Sequence, residues 1–571
     1  MPLYLLLPKL EECARRRRTS ELFSVLRDAN NHRVIRSAKP KTRDFLNLLI
    51  IIAEAVEFGY PDHDLLQELV QKLSPPDCRG FEACLAKGVV AARQGKSGAS
   101  LFFRRALAEK SFKPREHVAF ARSCWSNILR KQGKYDEADR ENDRARQVAA
   151  AANLVEIEAD YAVAGGWLRF HKGNPSEASD RYDHAEPILN KAGDHRRLAD
   201  ISSARGRIEQ RVGRLAKADT YYQASLLYYD QCPVAHRGNG RTLVNFAKLK
   251  WLQARRLGLH LENVQQRLAE TTLATHDLAA VSLARIHEFL HKHNRQTVSW
   301  SELEKLCDLD RRQYGRNANQ SDQLARQHTD LLREAHGLLD RAKEFYTNHP
   351  GPNLRGLGRE RIIRAYVLIE ERKWAEAISL ANLTFDLGKR HGNGIIQARA
   401  KIVETMAYVQ QRSCAIELSA DQISSALCSG MLAVDLSEGL EDTRIKFKAQ
   451  TWCGLAQLLQ SPPNTPLAVE SVKKIEKMLV GMPDDYVTED SDMLKRQCEQ
   501  QAVNNQSHDL RDLAKILDDQ GTWDKTKDAV LDFIIERLLR QHQHQVEPVR
   551  RELRIHPRRV RKVRDKLQST R

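Results

Sequence analysis

The apolar residues of this chain recur at helical spacing, within segments that short Pro-rich breaks separate. One broad helical face of the stretch 527–541 carries six of them, namely Val530, Leu531, Ile534, Ile535, Leu538 and Leu539. The breaks at 74–77, 349–358 and 461–466 punctuate such segments without forming long tethers. The longest apolar stretch, 45–56, is shorter than the ~20 residues that cross a bilayer, so we interpret it as a buried helix. The pattern predicts an all-α protein that does not span a membrane.

A motif of small and aromatic residues repeats along the chain, with glycine at positions 133, 173 and 213, a period of 40 residues. Its three clearest copies contain Gly133, Tyr135, Ala138 and Ala145, then Gly173, Ala178, Tyr182 and Ala185, then Gly213, Ala218, Tyr222 and Ser225. Upstream of each glycine a further small residue recurs, at Ser126, Gly166 and Gly206. A weaker copy holds Ala99, Phe103 and Ala106, and a later one holds Ala365, Trp374, Ala377, Ala381 and Thr384. Such regular recurrence predicts a stack of similar structural units.

The residue types in the motif indicate helical hairpins. Two helices joined by a tight turn approach closely only where small side chains lie at their crossing, and glycine tolerates the backbone angles of the turn. Residues four apart lie on the same face of a helix, so a small residue and a large one can fit together across the pair. A single hairpin cannot bury its own apolar face, and neighbouring hairpins therefore stack into a solenoid.

These matches resemble the tetratricopeptide repeat (TPR) family over residues 80–480. The resemblance implies a concave groove that holds a peptide or a partner protein, without catalysis. The period of 40 residues exceeds the usual value of about 34, which implies longer helices than the family norm. The pattern fades between Phe246 and Gly356, where we expect a divergent segment.

We expect the chain to divide into a TPR-like α-solenoid and a small three-helix module at the C-terminus. The expected segments are an N-terminal helical cap (1–79), TPR-like repeats (80–245), a divergent helical segment (246–358), further TPR-like repeats (359–480), a polar linker (481–523) and the C-terminal module (524–571).

The C-terminal module combines an apolar helix with two short ones. A helix from Glu547 to Leu553 is followed by a turn at 554–556 and a final helix that begins at Pro557, a residue suited to the first helical position. The final helix carries an apolar stripe of Val560, Val563 and Leu567. Its remaining face is cationic, with Arg558, Arg559, Arg561, Lys562 and Arg564. An apolar inner face and a cationic outer face are the layout of a DNA-recognition helix.

The segment 546–567 resembles the Fis-type helix-turn-helix of bacterial regulators, with matches at Glu552, Leu553, Ile555 and Arg558. Departures from that pattern include Arg554 in place of the turn glycine. The resemblance implies that 527–541 forms a homodimer and that the module binds double-stranded DNA. The expected DNA-binding residues are Arg551, Arg554, His556, Arg558, Arg559, Arg561, Lys562 and Arg564. Among them Arg551, Lys562 and Arg564 would contact phosphates, and Arg558, Arg559 and Arg561 would contact base edges.

Charge and cysteine content agree with this interpretation. The 571 residues carry a formal net charge of +17, which suits a polyanionic partner. The ten cysteines are scattered without a CxxC pair, as expected for thiols in a reducing cytoplasm. The N-terminus places its apolar run before its charges, unlike a signal peptide, so we expect a cytoplasmic protein.

One metal motif competes with this account. His287, Glu288 and His291 form an HExxH sequence, whose two histidines share a helical face in zinc metalloproteases. A third histidine is missing where the extended motif needs it, since that position is Thr297. We therefore favour a structural role for this segment and expect neither a metal nor another cofactor.

Three hypotheses follow. The first is a non-enzymatic transcriptional regulator, in which the solenoid senses a peptide or protein and the C-terminal module binds DNA. The second is an interaction scaffold with a basic tail that docks on an acidic partner. The third is a zinc hydrolase that uses the HEFLH segment.

Overall fold

The computed structural model of the chain describes fourteen stretches. They are residues 81–93, 98–109, 115–132, 134–232, 237–276, 291–292, 300–348, 353–440, 442–479, 489–501, 531–532, 534–539, 545–553 and 557–569. All regular secondary structure in these stretches is helical. None of their helices is long and apolar enough to span a membrane.

The first eight helices are short. They are α1 (Phe81–Arg93), α2 (Ala99–Ala108), α3 (Arg115–Lys131), α4 (Tyr135–Ala151), α5 (Val155–His171), α6 (Pro175–Lys191), α7 (His195–Arg211) and α8 (Leu215–Asp230). Two long helices follow, α9 (Arg237–His276) and α10 (Trp300–Asn348). The repeats then resume with α11 (Leu354–Glu370), α12 (Trp374–Arg390), α13 (Gly394–Ser413), α14 (Ala420–Glu438), α15 (Thr443–Gln457) and α16 (Thr465–Leu479). A helix over 489–501 (α17) and two C-terminal helices, α18 (Val546–Leu553) and α19 (Pro557–Ser569), complete the described part.

The helices pair as hairpins and the hairpins stack. Helix α3 packs on α4, α5 on α6, α7 on α8, α9 on α10, and α12 on both α11 and α13. The odd-numbered helices also contact one another in succession, from α5 to α7, α9, α11, α13 and α15. This second row of contacts aligns one helix of each hairpin along a common inner wall. The described part of the chain is therefore an all-α, TPR-like solenoid.

Small residues lie where the paired helices cross. A Cβ atom on Gly166 would lie 2.4 Å from Cε1 of Tyr182, and one on Gly206 would lie 2.9 Å from Cε1 of Tyr222. Ala138, Ala178 and Ala218 are fully buried at the equivalent position of their helices, α4, α6 and α8. At Ser126 the small side chain donates a hydrogen bond to the Ala138 carbonyl oxygen, 2.7 Å away.

The turns between paired helices adopt left-handed backbone angles. Gly173 has a φ of +95° and Gly213 a φ of +78°, and Asn153 and Arg372 occupy the same region with φ values of 56° and 62°. Gly133, which the motif places in the first of these turns, lies outside the described residues. Tyr135, two positions later, begins α4 and is buried.

The stretch in which the motif fades is occupied by α9 and α10, which are 40 and 49 residues long. They pack against each other and against α11. The indole of Trp251 in α9 stacks on the ring of Tyr366 in α11 with 4.8 Å between centroids, which joins the long helices to the following repeats.

Helix α17 lies within the stretch 481–523, for which the sequence predicts a polar linker, and it folds back onto the solenoid. Leu494 is fully buried in the core that the second half of the solenoid forms. Asp490, which is 2% exposed, accepts a hydrogen bond from the Arg255 guanidinium of α9 at 2.5 Å. The solenoid thus holds this segment through both apolar and ionic contacts.

Candidate functional site

The C-terminal helices form a small apolar core of their own. Val560 and Val563 of α19 are buried against Val549 of α18 and against Ile535 and Leu539 from the preceding helical stretch. Leu567, the third residue of the expected stripe, packs against the same cluster. The contacts fix which face of α19 points inward.

The opposite face of α19 is cationic. Arg558, Arg561 and Lys562 are exposed. Arg559 forms an ion pair with Asp532 at 2.9 Å, and Arg564 pairs with its neighbour Asp565 at 2.8 Å. These two arginines are therefore partly neutralised by the protein's own carboxylates.

Other expected DNA-binding residues are not described in full. The turn residues Arg554 and His556 lie outside the described residues, as does the side chain of Arg551. The expected dimer helix is described over 531–532 and 534–539. There Ile535, Leu538 and Leu539 are buried, whereas Ile534 is 37% exposed.

A second site lies on the inner wall of the solenoid. Two adjoining cavities, of about 360 and 130 Å³, share His171, Arg207 and Arg359 in their linings. Most other lining residues belong to the odd-numbered helices of the inner row. The cations in the two linings are Arg130, Arg196, Arg207, Arg211, Arg241, Lys248, Arg355, Arg359, Arg399, Arg444 and Lys448.

Three carboxylates line the two cavities with these cations, namely Asp160, Asp200 and Asp442, and each already has a partner. Asp160 pairs with Arg197 at 2.7 Å. Asp200 pairs with Arg241 and accepts a hydrogen bond from the Tyr229 hydroxyl at 2.7 Å. Asp442 accepts a hydrogen bond from the first turn of α15, at the Ile445 amide. The walls of both cavities therefore carry a large excess of positive charge.

Three arginines on this wall form no ion pair with any described carboxylate: Arg207, Arg359 and Arg399. The guanidinium of Arg207 instead lies over the rings of Trp167 and Phe170, 5.0 and 4.7 Å from their centroids. Burial, together with nearby cations such as Arg399, lowers the pKa of Arg207 to about 10. Burial, followed by Arg207 and Arg399, likewise lowers the pKa of Arg359. The guanidinium groups of Arg207 and Arg359 therefore repel each other.

Two further residues line the cavities, His171 and Asn245. His171 stacks on Tyr135 with 5.6 Å between ring centroids. Burial, followed by the charges of Arg207 and Arg130, holds the pKa of His171 well below its usual range, so the imidazole is neutral at pH 7. Asn245, which is 8% exposed, lines the smaller cavity with a buried Nδ2 donor that has no hydrogen-bond partner.

Sequence reasoning expected a groove on the solenoid but did not identify the arginines in it. A signal is present in the second half of the solenoid, because Arg399 follows Arg359 by 40 residues and both occupy the same register of the repeat. The small and aromatic residues of the motif report on helix packing and not on the groove.

No group of three or more potential metal ligands among His, Cys, Asp and Glu occurs within the described stretches. His287 and Glu288 of the HEFLH sequence lie outside those stretches, and His291 is exposed. These residues leave the hypothesis of a zinc hydrolase untested.

Searches against models of protein families and against curated proteins give no match. Among solved structures, yeast Tom70 is similar over 88% of this chain and 96% of its own, with 10% identity and a TM-score of 0.34. The TPR domain of P58(IPK) is similar over 69% of this chain and 93% of its own, with 17% identity and a TM-score of 0.16. With scores this low, the assignment of the fold depends on the stacked hairpins of the chain itself.

Proposed function

We propose that this protein is a regulator that binds double-stranded DNA through its C-terminal helices, while its solenoid holds a peptide or protein partner. The observation that carries the proposal is the division of α19 into two faces. Val560 and Val563 are buried, and Arg558, Arg561 and Lys562 are exposed. A loose cationic tail would have no reason to bury one side.

The dimensions of α19 suit this role. Its 13 residues form a helix about 20 Å long, and the major groove of B-DNA, about 12 Å wide, accepts a helix. Phosphate contacts from Lys562 would supply affinity, and the guanidinium groups of Arg558 and Arg561 are suited to the acceptor atoms of guanine. Because Arg559 is paired with Asp532, it would have to exchange that partner to reach a base.

The exposed Ile534 supports the dimer that the sequence predicts. Ile534 is 37% exposed and is not part of the internal apolar core. A second copy of the chain can therefore pack against it. Two copies related by a twofold axis would present their α19 helices to half-sites about one DNA turn apart.

The proposal is tested by charge reversal in the full chain. We expect the triple variant Arg558→Glu, Arg561→Glu, Lys562→Glu to lose binding to a fluorescently labelled random-sequence duplex, measured by anisotropy. The matched control carries the same change of charge at Lys473, Lys474 and Lys477, which are exposed on α16, and it should keep most of the affinity. Equal binding by the two variants would place the DNA site elsewhere. Failure of the wild-type chain to bind DNA would favour a basic tail that docks on an acidic protein.

A further inference from the structure

Three arginines of the solenoid's inner wall lie on different inner helices and form a row. Arg207 lies on α7, Arg359 on α11 and Arg399 on α13, and α9 contributes Asn245 between the first two. Because α7, α9, α11 and α13 contact one another in order, the row follows the axis of the solenoid. Successive positive charges are thus displayed along one line.

Other arginines of the same helices are neutralised. Arg205, two residues before Arg207, pairs with Glu186 and Asp183 at 2.7 Å each. Arg364, five residues after Arg359, pairs with Glu360 at 2.6 Å and with Asp340 at 2.8 Å. Among the described residues, carboxylates therefore pair with Arg205 and Arg364, whereas Arg207, Arg359 and Arg399 have no such partner. Like charges held close together in a partly enclosed cavity favour an anionic ligand.

The shape of the site narrows the choice of anion. Cavities of about 360 and 130 Å³ do not admit a double helix, whose major groove alone is about 12 Å wide. Charges distributed over successive repeats suit an extended chain better than a single compact phosphate. An extended peptide advances about 3.3 Å per residue, so its side chains can meet successive inner helices.

Two neutral groups on the wall suit a peptide. The unpartnered Nδ2 of Asn245 is a buried donor that a peptide carbonyl oxygen can satisfy. The faces of Trp167 and Phe170 hold Arg207 in place, and they present apolar surface beside the charge. The wall can therefore bind both the backbone and the side chains of such a ligand.

The two adjoining cavities on the inner wall are called the inner channel below. We propose that the inner channel binds an extended acidic peptide segment, whose carboxylates pair with Arg207, Arg359 and Arg399 and whose backbone is bound by Asn245. This inference rests on the proposed function, because it specifies the chemistry of the partner that the solenoid holds.

The test uses the full chain and a short fluorescein-labelled peptide of alternating Glu and Ala, with a Lys and Ala peptide for comparison. We expect the acidic peptide to bind at least tenfold more tightly than the basic one. The triple variant Arg207→Gln, Arg359→Gln, Arg399→Gln should lose at least tenfold in that affinity. The control variant Arg140→Gln, Arg333→Gln, Arg341→Gln removes three exposed arginines and should bind as the wild type does. Because the substitutions in the channel relieve repulsion, the Tm of the channel variant should equal or exceed that of the wild type.

Equal affinity of the channel variant and the wild type for the acidic peptide would overturn the inference, as would equal affinity of the wild type for the two peptides. Sodium triphosphate that binds where the peptide does not would also overturn it, in favour of a phosphate ligand. DNA affinity separates this inference from the proposed function. The channel variant should bind duplex DNA as the wild type does, and the α19 charge-reversal variant should keep its affinity for the peptide.

Discussion

Gly166 of α5 lies directly beneath the ring of Tyr182 in α6, so close that a Cβ atom would be 2.4 Å from Cε1. Gly206 and Tyr222 repeat the relationship in the next hairpin, with a corresponding distance of 2.9 Å. In each hairpin the aromatic ring fills the space that the missing side chain leaves. The repeated small and aromatic residues therefore form the contact between the two helices of a hairpin, which explains why these helices pack so closely.

The first prediction concerns this contact. Gly166→Ala forces the Tyr182 ring to move in a packed core, and overpacking of this kind costs about 1–3 kcal/mol. Urea unfolding should show that loss. Gly337→Ala is the matched control, because Gly337 lies in helix α10, is exposed, and an added Cβ would meet nothing within 4 Å apart from the backbone of its own helix. There the alanine should stabilise the protein by about 0.5–1 kcal/mol. A Gly166→Ala variant as stable as the wild type would show that the ring does not require the glycine.

The second prediction concerns the attachment of α17. Asp490 and Arg255 form an ion pair in which their side chains are 2% and 13% exposed. Asp490→Ala leaves a buried guanidinium without its partner and should lower the free energy of unfolding by about 3 kcal/mol. The adjacent pair of Glu489 and Arg256 is 39% and 43% exposed, so Glu489→Ala should cost less than about 1 kcal/mol. Similar losses in the two variants would mean that the Asp490 pair contributes little to docking.

The third prediction concerns acid stability. The pKa of His171 lies well below its usual range, because of burial first and the charges of Arg207 and Arg130 next. In the unfolded chain the imidazole takes up a proton near pH 6.5, whereas in the folded chain it does not. The unfolded state then binds more protons, so stability falls as the pH drops below about 6.5, by up to about 1.4 kcal/mol per pH unit.

His171→Gln removes this proton uptake. The free energy of unfolding should therefore decline less between about pH 7 and pH 5 in this variant than in the wild type. His391→Gln, at an exposed position, is the control and should not reduce the decline. If His171→Gln and the wild type lose the same free energy over that range, the low pKa of His171 is wrong.

The solenoid could be predicted from the sequence because its determinants are local. Tyr182 and Tyr222 meet glycines only 16 residues earlier in the chain, at Gly166 and Gly206, so a repeated spacing reveals the contact. The same holds for α19, where Val560 and Val563 lie one turn apart and are buried as the periodicity predicts. Contacts between distant residues leave no such trace. Arg255 and Asp490 are separated by 235 residues, and α17 consequently falls within a stretch that composition alone marks as a linker.

The candidate site in the channel could not be predicted for a related reason. Arg205 and Arg207 are nearly adjacent in sequence, yet one is paired with Glu186 and the other faces the channel. Which of them is neutralised depends on the neighbouring hairpin and on the direction in which the solenoid curves. The sequence reveals the period of the repeat, but it does not reveal which side chains point toward the inner wall.

The central claim is that α19 binds DNA through its exposed cations, and the salt dependence of DNA affinity tests it most directly. The affinity of the full chain for a labelled duplex should be measured by anisotropy over a range of NaCl concentrations. The wild type should show a steep negative slope of log affinity against log salt. Arg561→Ala with Lys562→Ala should reduce that slope by about 1 for each phosphate that the variant no longer neutralises. The same slope in the double variant and the wild type would contradict the assignment of DNA binding to α19.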